Sequence, residues 1–129
     1  MKGRHQRVPS LQRAAAVCAF SLGLIALPSA ANAATTLAAV VNANGAKARA
    51  FPAGITSART AVGEYKVLFS RNVSTCVFVS IVGSPNTVEP QGGGAKVWSL
   101  PGNPRGVVVQ IGQSGVAADR PFHLVVVCP

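Results

Sequence analysis

The sequence predicts an all-β fold, a small antiparallel sandwich or barrel of about seven or eight short strands with one disulfide. Three observations lead to this prediction. Short runs rich in Val and Ile alternate with Gly, Pro and Asn turn signals throughout the chain after position 33. No stretch of that region keeps the 3.6-residue period of a helix over three turns. Two cysteines remain in the same region.

The first 33 residues have the pattern of a secretory signal peptide. Four Lys or Arg residues and no acid precede position 14, and residues 14–27 are almost wholly apolar. This order, followed by an Ala-x-Ala site, is typical of a leader that is removed during export. We therefore expect cleavage between Ala33 and Ala34, and a single secreted, extracellular β domain over residues 34–129.

The apolar part of this leader bears on membrane attachment. It has about 14 residues, fewer than the roughly 20 that a helix needs to span a bilayer. We therefore expect no membrane span after cleavage. Two alternatives stay open, an uncleaved membrane anchor and a lipid-modified Cys18, although Val17 is bulky where lipid modification prefers a small residue.

Cleavage changes the charge of the domain that remains. Four of the twelve Lys and Arg residues leave with the leader and all three acids stay, so the 96-residue mature domain carries +5 instead of +9. Its basic residues are scattered singly, a pattern that argues against a nucleic-acid interface. A basic exported domain is expected to be attracted weakly to anionic polymers of the cell envelope.

The first part of the mature domain predicts a hairpin and a third strand. Leu37–Val41 is a short apolar strand, and residues 46–51 can return beside it. The Asn44-Gly45 pair between them is the strongest short hairpin signal. Residues 55–60 form a third strand that is broken near Gly63.

Residues 64–69 have the clearest alternation in the chain. Tyr65, Val67 and Phe69 share one face, while Glu64 and Lys66 lie on the other. Alternation of this kind indicates a half-buried strand whose aromatic face packs on the core.

Residues 75–82 show a different pattern, because they are apolar on both faces. This pattern and the β-branched composition are typical of a central strand. The longest predicted loop, residues 83–94, follows it and contains three consecutive glycines.

Three strands complete the predicted fold, at residues 95–100, 107–111 and 122–128, with a turn over residues 112–119. Pro121 suits the start of a strand, where no backbone donor is needed. In the last strand the apolar residues and Cys128 alternate onto one buried face.

Cysteine number predicts the disulfide. Cys18 leaves with the leader, so Cys76 and Cys128 are the only pair within the mature chain. An exported small domain commonly joins such a pair. The bridge would close a loop worth about 4 kcal/mol in the chain-entropy model. The alternatives are two free buried thiols or an intermolecular bond.

The mature domain holds few residue types that could carry catalysis. Its acids are Glu64, Glu89 and Asp119, and its one histidine is His123. A catalytic triad would have to use Asp119 and His123, which lie four apart without a nucleophile elbow. A carboxylate pair for glycoside hydrolysis would need Glu64 and Glu89 to converge. We assign no catalytic residue, expect no enzyme, and interpret His123 as a surface residue on the exposed face of the last strand.

Metal and cofactor sites are not predicted either. One histidine and a paired set of cysteines do not make a zinc site, and the acids lack the spacing of a calcium loop. The three glycines of residues 92–94 have no strand-then-helix context, so we interpret them as a flexible loop. We expect Asp119 to fix its turn by bonding backbone two residues on, and Arg120 to pair with Glu64 or Asp119.

Several stretches of the mature domain resemble a group of small secreted actinobacterial proteins of uncharacterised function. They are "VVNANG", "GITSARTAVGEYKVLFSRNVSTC", "GNPRGVVVQ" and "ADRPFHLVVVC", in this order. The run G-x-Y-x-V-x-F followed by V-x-x-C is also similar to β-rich tip modules of phage tail fibres and collagen-like surface proteins. The latter resemblance implies trimeric assembly, and neither one supplies catalytic residues.

The sequence therefore predicts a secreted, non-enzymatic β domain that serves as an extracellular or cell-surface binding or structural module. Its partner would be an envelope polymer or a protein. One alternative is a homotrimeric tip-like module, because Val and Ile on both faces of several strands give more apolar surface than a short chain can bury. Another is a secreted protease inhibitor with residues 83–94 or 101–106 as its reactive loop.

Overall fold

A computed structural model describes residues 33–129. The predicted leader lies outside the described residues, apart from the cleavage position at Ala33 and Ala34. Within residues 33–129 the chain forms nine strands and no helix, which confirms the all-β prediction. The strands are β1 (Thr35–Val41), β2 (Lys47–Phe51), β3 (Thr56–Ala61), β4 (Glu64–Leu68), β5 (Val77–Val82), β6 (Gly94–Ser99), β7 (Gly106–Gln113), β8 (Val116–Ala117) and β9 (Phe122–Cys128).

The strands form two antiparallel sheets. One has four strands in the order β2-β1-β9-β5, and the other has the order β3-β4-β7-β6 with β8 paired to β7. Strands β5 and β6 lie side by side where the two sheets meet. Both sheets are built around a long central strand, β9 in one and β7 in the other.

The core lies between the two sheets. Along β9, buried residues alternate with outward ones, and the same holds for β4. The rings of Tyr65 and Phe122 meet across the core with their centroids 5.0 Å apart, a separation that is favourable for a tilted aromatic pair. The predicted inner face of Tyr65, Val67 and Phe69 is confirmed, since each is at most 4% exposed.

The disulfide joins neighbouring strands of the four-stranded sheet. Cys76 is bonded to Cys128, with their Cα atoms 4.3 Å apart. The cysteines stand next to the Val77–Val127 pair at one end of the β5–β9 ladder. The predicted pairing is therefore present, beside the core and at the end of the last strand.

Two details of the predicted fold are wrong. Strand β5 is an end strand of its sheet instead of a central one, and its outward residues are exposed. The predicted turn at residues 112–119 contains a hairpin between β7 and β8. Ser114 and Gly115 both have positive φ, 51° and 81°, which is the geometry of a type I′ turn. A Ser-Gly pair is a weaker signal for this turn than Asn-Gly, and the strand after it has only two residues.

Candidate functional site

The outer face of the four-stranded sheet is the candidate functional site. Successive side chains of a strand point to opposite faces, so the residues between the core positions of β1, β2, β5 and β9 all lie on this side. We call this surface the outer valine face. Its members are Thr36, Ala38, Val40, Arg49, Phe51, Val77, Val79, Ile81, His123, Val125 and Val127.

Strand register arranges these residues in rows across the sheet. In the middle row Val79 lies opposite Val125, and Val125 lies opposite Ala38. Ala38 in turn lies opposite Phe51 of β2. The middle row is therefore apolar across all four strands.

Several of these side chains are well exposed. The exposed fraction is 65% for Val77, 58% for Val79, 65% for Ile81 and 69% for Phe51. Monomeric proteins expose single apolar side chains commonly, but a contiguous apolar patch marks an interaction surface. The adjacency of these residues, and not their number, is what singles out this face.

One end of the outer valine face is closed by the chain that leaves β5. His123 Nε2 lies 3.0 Å from the backbone oxygen of Ser84. A Cβ added to Gly83 would lie only 2.8 Å from Cδ2 of the same imidazole, so a side chain at this position would collide with the ring. The Arg49 guanidinium donates to the backbone oxygen of Pro85. These polar contacts form a rim at this end.

Charge is nearly absent from the outer valine face. Among the described residues Arg49 is its only Lys, Arg, Asp or Glu member, and strands β1, β2, β5 and β9 contain no acid at all. Arg49 lies on β2, at one edge of the sheet. The centre and the β5 edge thus carry no side chain that is strongly hydrated.

Beside Arg49 the face has an open hollow of about 160 Å³. It is lined by Ala38, Ala39, Val40, Arg49, Ala50 and Phe51. Of these residues, small Ala38 lies between Phe51 and Val125 in the middle row. The hollow is large enough for a branched apolar side chain of a partner.

A second cluster lies at one end of the sandwich around Asp119. Its Oδ1 atom accepts from Arg59 Nε at 2.7 Å and from the Gly63 backbone N–H at 2.8 Å. The Tyr65 hydroxyl lies 3.4 Å from the same oxygen and 2.9 Å from the Ala43 carbonyl oxygen. Asp119 therefore joins its own loop to strand β3 and to the turn between β3 and β4. It bonds the Gly63 backbone, whereas the sequence predicted its own following backbone. Proline occupies position 121 and has no N–H to offer.

These contacts explain the pKa shifts in this cluster. The hydrogen bond from Arg59, together with that from the Gly63 backbone, lowers the pKa of Asp119 below its ordinary value. Burial and the nearby Asp119 carboxylate raise the pKa of Tyr65. At neutral pH Asp119 is therefore ionised and Tyr65 neutral, as these groups ordinarily are. The cluster of Arg59, Gly63, Tyr65 and Asp119 has a structural role, and we call it the clamp.

Arg120 has different partners from those predicted. It donates to the side-chain oxygens of Gln91 at 2.8 Å and Gln113 at 2.6 Å, and Arg59 is the residue that pairs with Asp119. Since Gln91 lies in the long loop and Gln113 at the end of β7, Arg120 fastens this loop to the sheet. An open groove of about 450 Å³ between the loop and Asp119 is lined mainly by polar residues.

The candidate catalytic residues of the sequence make separate contacts. Asp119 bonds within the clamp, whereas His123 contacts Ser84 at the rim of the outer valine face. Glu64 Oε1 accepts from the Thr60 hydroxyl at 2.7 Å on the other sheet, and Glu89 lies in the exposed loop. His123 is on the outward side of β9, as predicted, but it is half-buried instead of freely exposed.

Residues 33–129 contain neither a candidate metal cluster nor a membrane-spanning helix. Within this part of the chain, His, Cys, Asp and Glu residues form no group of three or more that could hold a metal ion. The same part has no helix with the length and apolar character required to cross a membrane.

Comparisons with protein-family models, with curated proteins and with solved structures find no match for this chain. The resemblances to secreted actinobacterial proteins and to fibre tips therefore stay predictions.

Sequence reasoning missed the outer valine face as a site, although one signal for it was present. The apolar residues on both sides of β5 pointed either to a central strand or to surplus apolar surface. Strand order distinguishes these two interpretations, and only the structure provides it.

Proposed function

We propose that this protein is an exported, non-enzymatic β domain that works as a binding or structural module through the outer valine face. One observation carries the proposal. A sheet face that should be solvated is instead apolar across four strands, with Val79 at 58% and Ile81 at 65% exposure.

Energetics support a contact role for this face. Removing apolar surface from water is worth about 25 cal/mol per Å², so covering several neighbouring valines yields a few kcal/mol. A flat sheet of β-branched residues also has little side-chain entropy to lose on binding. The face is thus suited to a partner that is itself flat and apolar.

Two features support export. The leader pattern with its Ala33–Ala34 cleavage position precedes the domain, and Cys76 is paired with Cys128. Disulfides persist mainly in oxidising compartments. The cell envelope or the medium is therefore where we place the partner.

A capture experiment with matched variants tests the proposal. The full-length chain would be expressed in an exporting bacterial host, purified with its disulfide oxidised, immobilised and exposed to envelope material of the producing organism. Val79→Lys places a charge in the middle of the outer valine face. Val116→Lys is the control, because Val116 is 69% exposed on β8 of the other sheet.

We expect wild type and Val116→Lys to retain the same component and Val79→Lys to lose it. Retention that is equal in all three proteins would show that binding uses another surface. A wild-type protein that retains nothing above an inert column would count against a binding role.

A further inference from the structure

We infer that the outer valine face binds the same face of a second copy of this chain, in a two-fold dimer whose axis runs parallel to the strands. This inference rests on the proposed function, since it names the partner of the same surface. The argument uses the sizes of the side chains, the hollow beside Arg49, the charge and the area of the face.

The sizes of the central side chains are complementary under this symmetry. A two-fold axis parallel to the strands, midway across the sheet, places β1 of one copy opposite β9 of the other. On β1 the outward residues include small Ala38, whereas its neighbour on β9 is Val125. Ala38 therefore receives Val125 of the partner copy, and the reverse contact forms at the same time. Small against large is the pattern by which packed layers interdigitate.

The edges of the sheet are complementary in the same way. The axis places β2 opposite β5 of the second copy, because these two strands lie at opposite ends of the sheet. The hollow of about 160 Å³ lies at the β2 edge. Exposed Val79 and Ile81 protrude at the β5 edge. Val79 and Ile81 of each copy thus meet the β2 edge of the other, where Phe51 and Arg49 flank the hollow.

Charge selects this axis over the perpendicular one. A two-fold axis across the strands would place β2 on β2 and bring the two Arg49 side chains to the same edge. An axis along the strands separates them by the width of the sheet, about 14 Å for three strand spacings of about 4.8 Å. The axis along the strands places Arg49 opposite Ile81 of the second copy, in the row next to the rim. There the Arg49 guanidinium keeps its contact with the Pro85 backbone oxygen, so the one charged member of the face among the described residues stays at the end of the contact.

The area of the face sets the strength of the dimer. Four strands of five to seven residues give a footprint of roughly 20 Å by 20 Å. The uneven surface of the side chains increases the buried area beyond this footprint. The area nevertheless stays below the ~800 Å² per partner of a standard interface. We therefore expect reversible dimerisation that depends on concentration, with aligned sheet packing at a spacing of about 10 Å.

Sedimentation velocity over low-micromolar to millimolar concentrations tests the inference on the oxidised protein. Wild type is expected to pass from monomer to dimer. Val79→Lys should raise the dimer dissociation constant by at least about tenfold, since it buries an unpaired charge. Val116→Lys should behave as wild type.

A compensating exchange tests the axis itself. Ala38→Val alone should weaken the dimer, because two valines then compete for the space of one. Adding Val125→Ala in the same chain should restore dimerisation, since each large residue again faces a small one. Failure of the double variant to recover would overturn the proposed axis, provided that both variants melt within a few degrees of wild type.

Other outcomes separate this inference from the proposed function. A monomeric mass at every concentration overturns the dimer, and if the wild type still captures an envelope component that Val79→Lys loses, the proposed function stands. A trimeric mass overturns the two-fold arrangement and supports the tip-like alternative. Dimerisation that Val79→Lys leaves unchanged would show that the two copies meet through another surface and would overturn the inference, while the capture experiment still decides the proposed function.

Discussion

The outer faces of the two sheets carry a valine at equivalent places, and the surroundings of these valines differ. Val108 lies at the centre of the five-stranded sheet and is 7% exposed, whereas Val125 lies at the centre of the four-stranded sheet and is 37% exposed. Val108 has Lys66 and Trp98 as its cross-strand neighbours. Val125 has Val79 and Ala38.

The difference shows how a sheet protects its outward apolar residues. Long amphipathic side chains can lie across a neighbour and keep their polar ends in water. Lys66 and Trp98 can do so for Val108, while valine and alanine are too short to cover Val125. One sheet therefore covers its central outward valine within the domain, and the other leaves its central outward valine partly exposed.

The largest predicted effect concerns the disulfide, which joins the end strand β5 to the neighbouring inner strand β9 of this face. Replacing both Cys76 and Cys128 by serine should lower the free energy of unfolding by about 4 kcal/mol. A reductant should lower the melting midpoint of wild type in the same direction and leave the double variant unchanged. An unchanged midpoint in reduced wild type would mean that the disulfide does not stabilise the four-stranded sheet.

Two truncations compare the contributions of the two central valines to the free energy of unfolding. Val108→Ala should destabilise the protein by about 1.5 kcal/mol, because it removes two buried methyl groups. Val125→Ala should cost less than about 1 kcal/mol in dilute solution, since that side chain is already partly exposed. Chemical denaturation at low protein concentration gives both values. Equal costs would contradict the different coverage of the two faces.

The clamp at Asp119 predicts a smaller, pH-dependent effect. The pKa of this carboxyl is lowered in the folded state relative to its ordinary 3.8. Its contribution to stability is therefore present above about pH 4 and is lost as the pH falls through the lower folded value. Thermal unfolding should show less acid sensitivity in Asp119→Asn than in wild type.

Glu89→Gln is the matched control for this titration, since Glu89 is an acid in the exposed loop. Its acid profile should follow that of wild type. If Asp119→Asn has the same acid profile as wild type, the clamp is not the group that titrates.

The smallest predicted effect on folding belongs to Val79→Lys. This change gives Val125 a lysine neighbour like the Lys66 neighbour of Val108. Because position 79 is exposed, the free energy of unfolding should change by less than about 0.5 kcal/mol. Denaturation beside the Val116→Lys control checks this. A large loss would mean that Val79 has a structural role within the monomer.

Much of the fold was predictable because it depends on local patterns. The alternation around Tyr65 placed its strand and its buried face correctly, and Asn44-Gly45 marked a turn where Gly45 has a φ of 87°. Cysteine number predicted the pairing of Cys76 with Cys128. Each of these features depends either on a few neighbouring residues or on the number of residues of one type.

Long-range features were not predictable in the same way. Arg59 and Asp119 are 60 positions apart, so their pairing depends on which loops meet at one end of the sandwich. The apolar run at β5 is compatible with burial by its own sheet or by a partner. Sheet order decides between these alternatives, and single-strand periodicity carries no information on order.

NMR spectra of oxidised, isotopically labelled protein, recorded as it is diluted, test the central claim that the outer valine face is a contact surface between two copies of the chain. The account predicts amide shift changes that centre on β5, β9 and β1 around Val79 and Val125, with β4, β7 and β6 unchanged. Shift changes centred on the five-stranded sheet, or none at any concentration, would contradict self-contact through the four-stranded sheet.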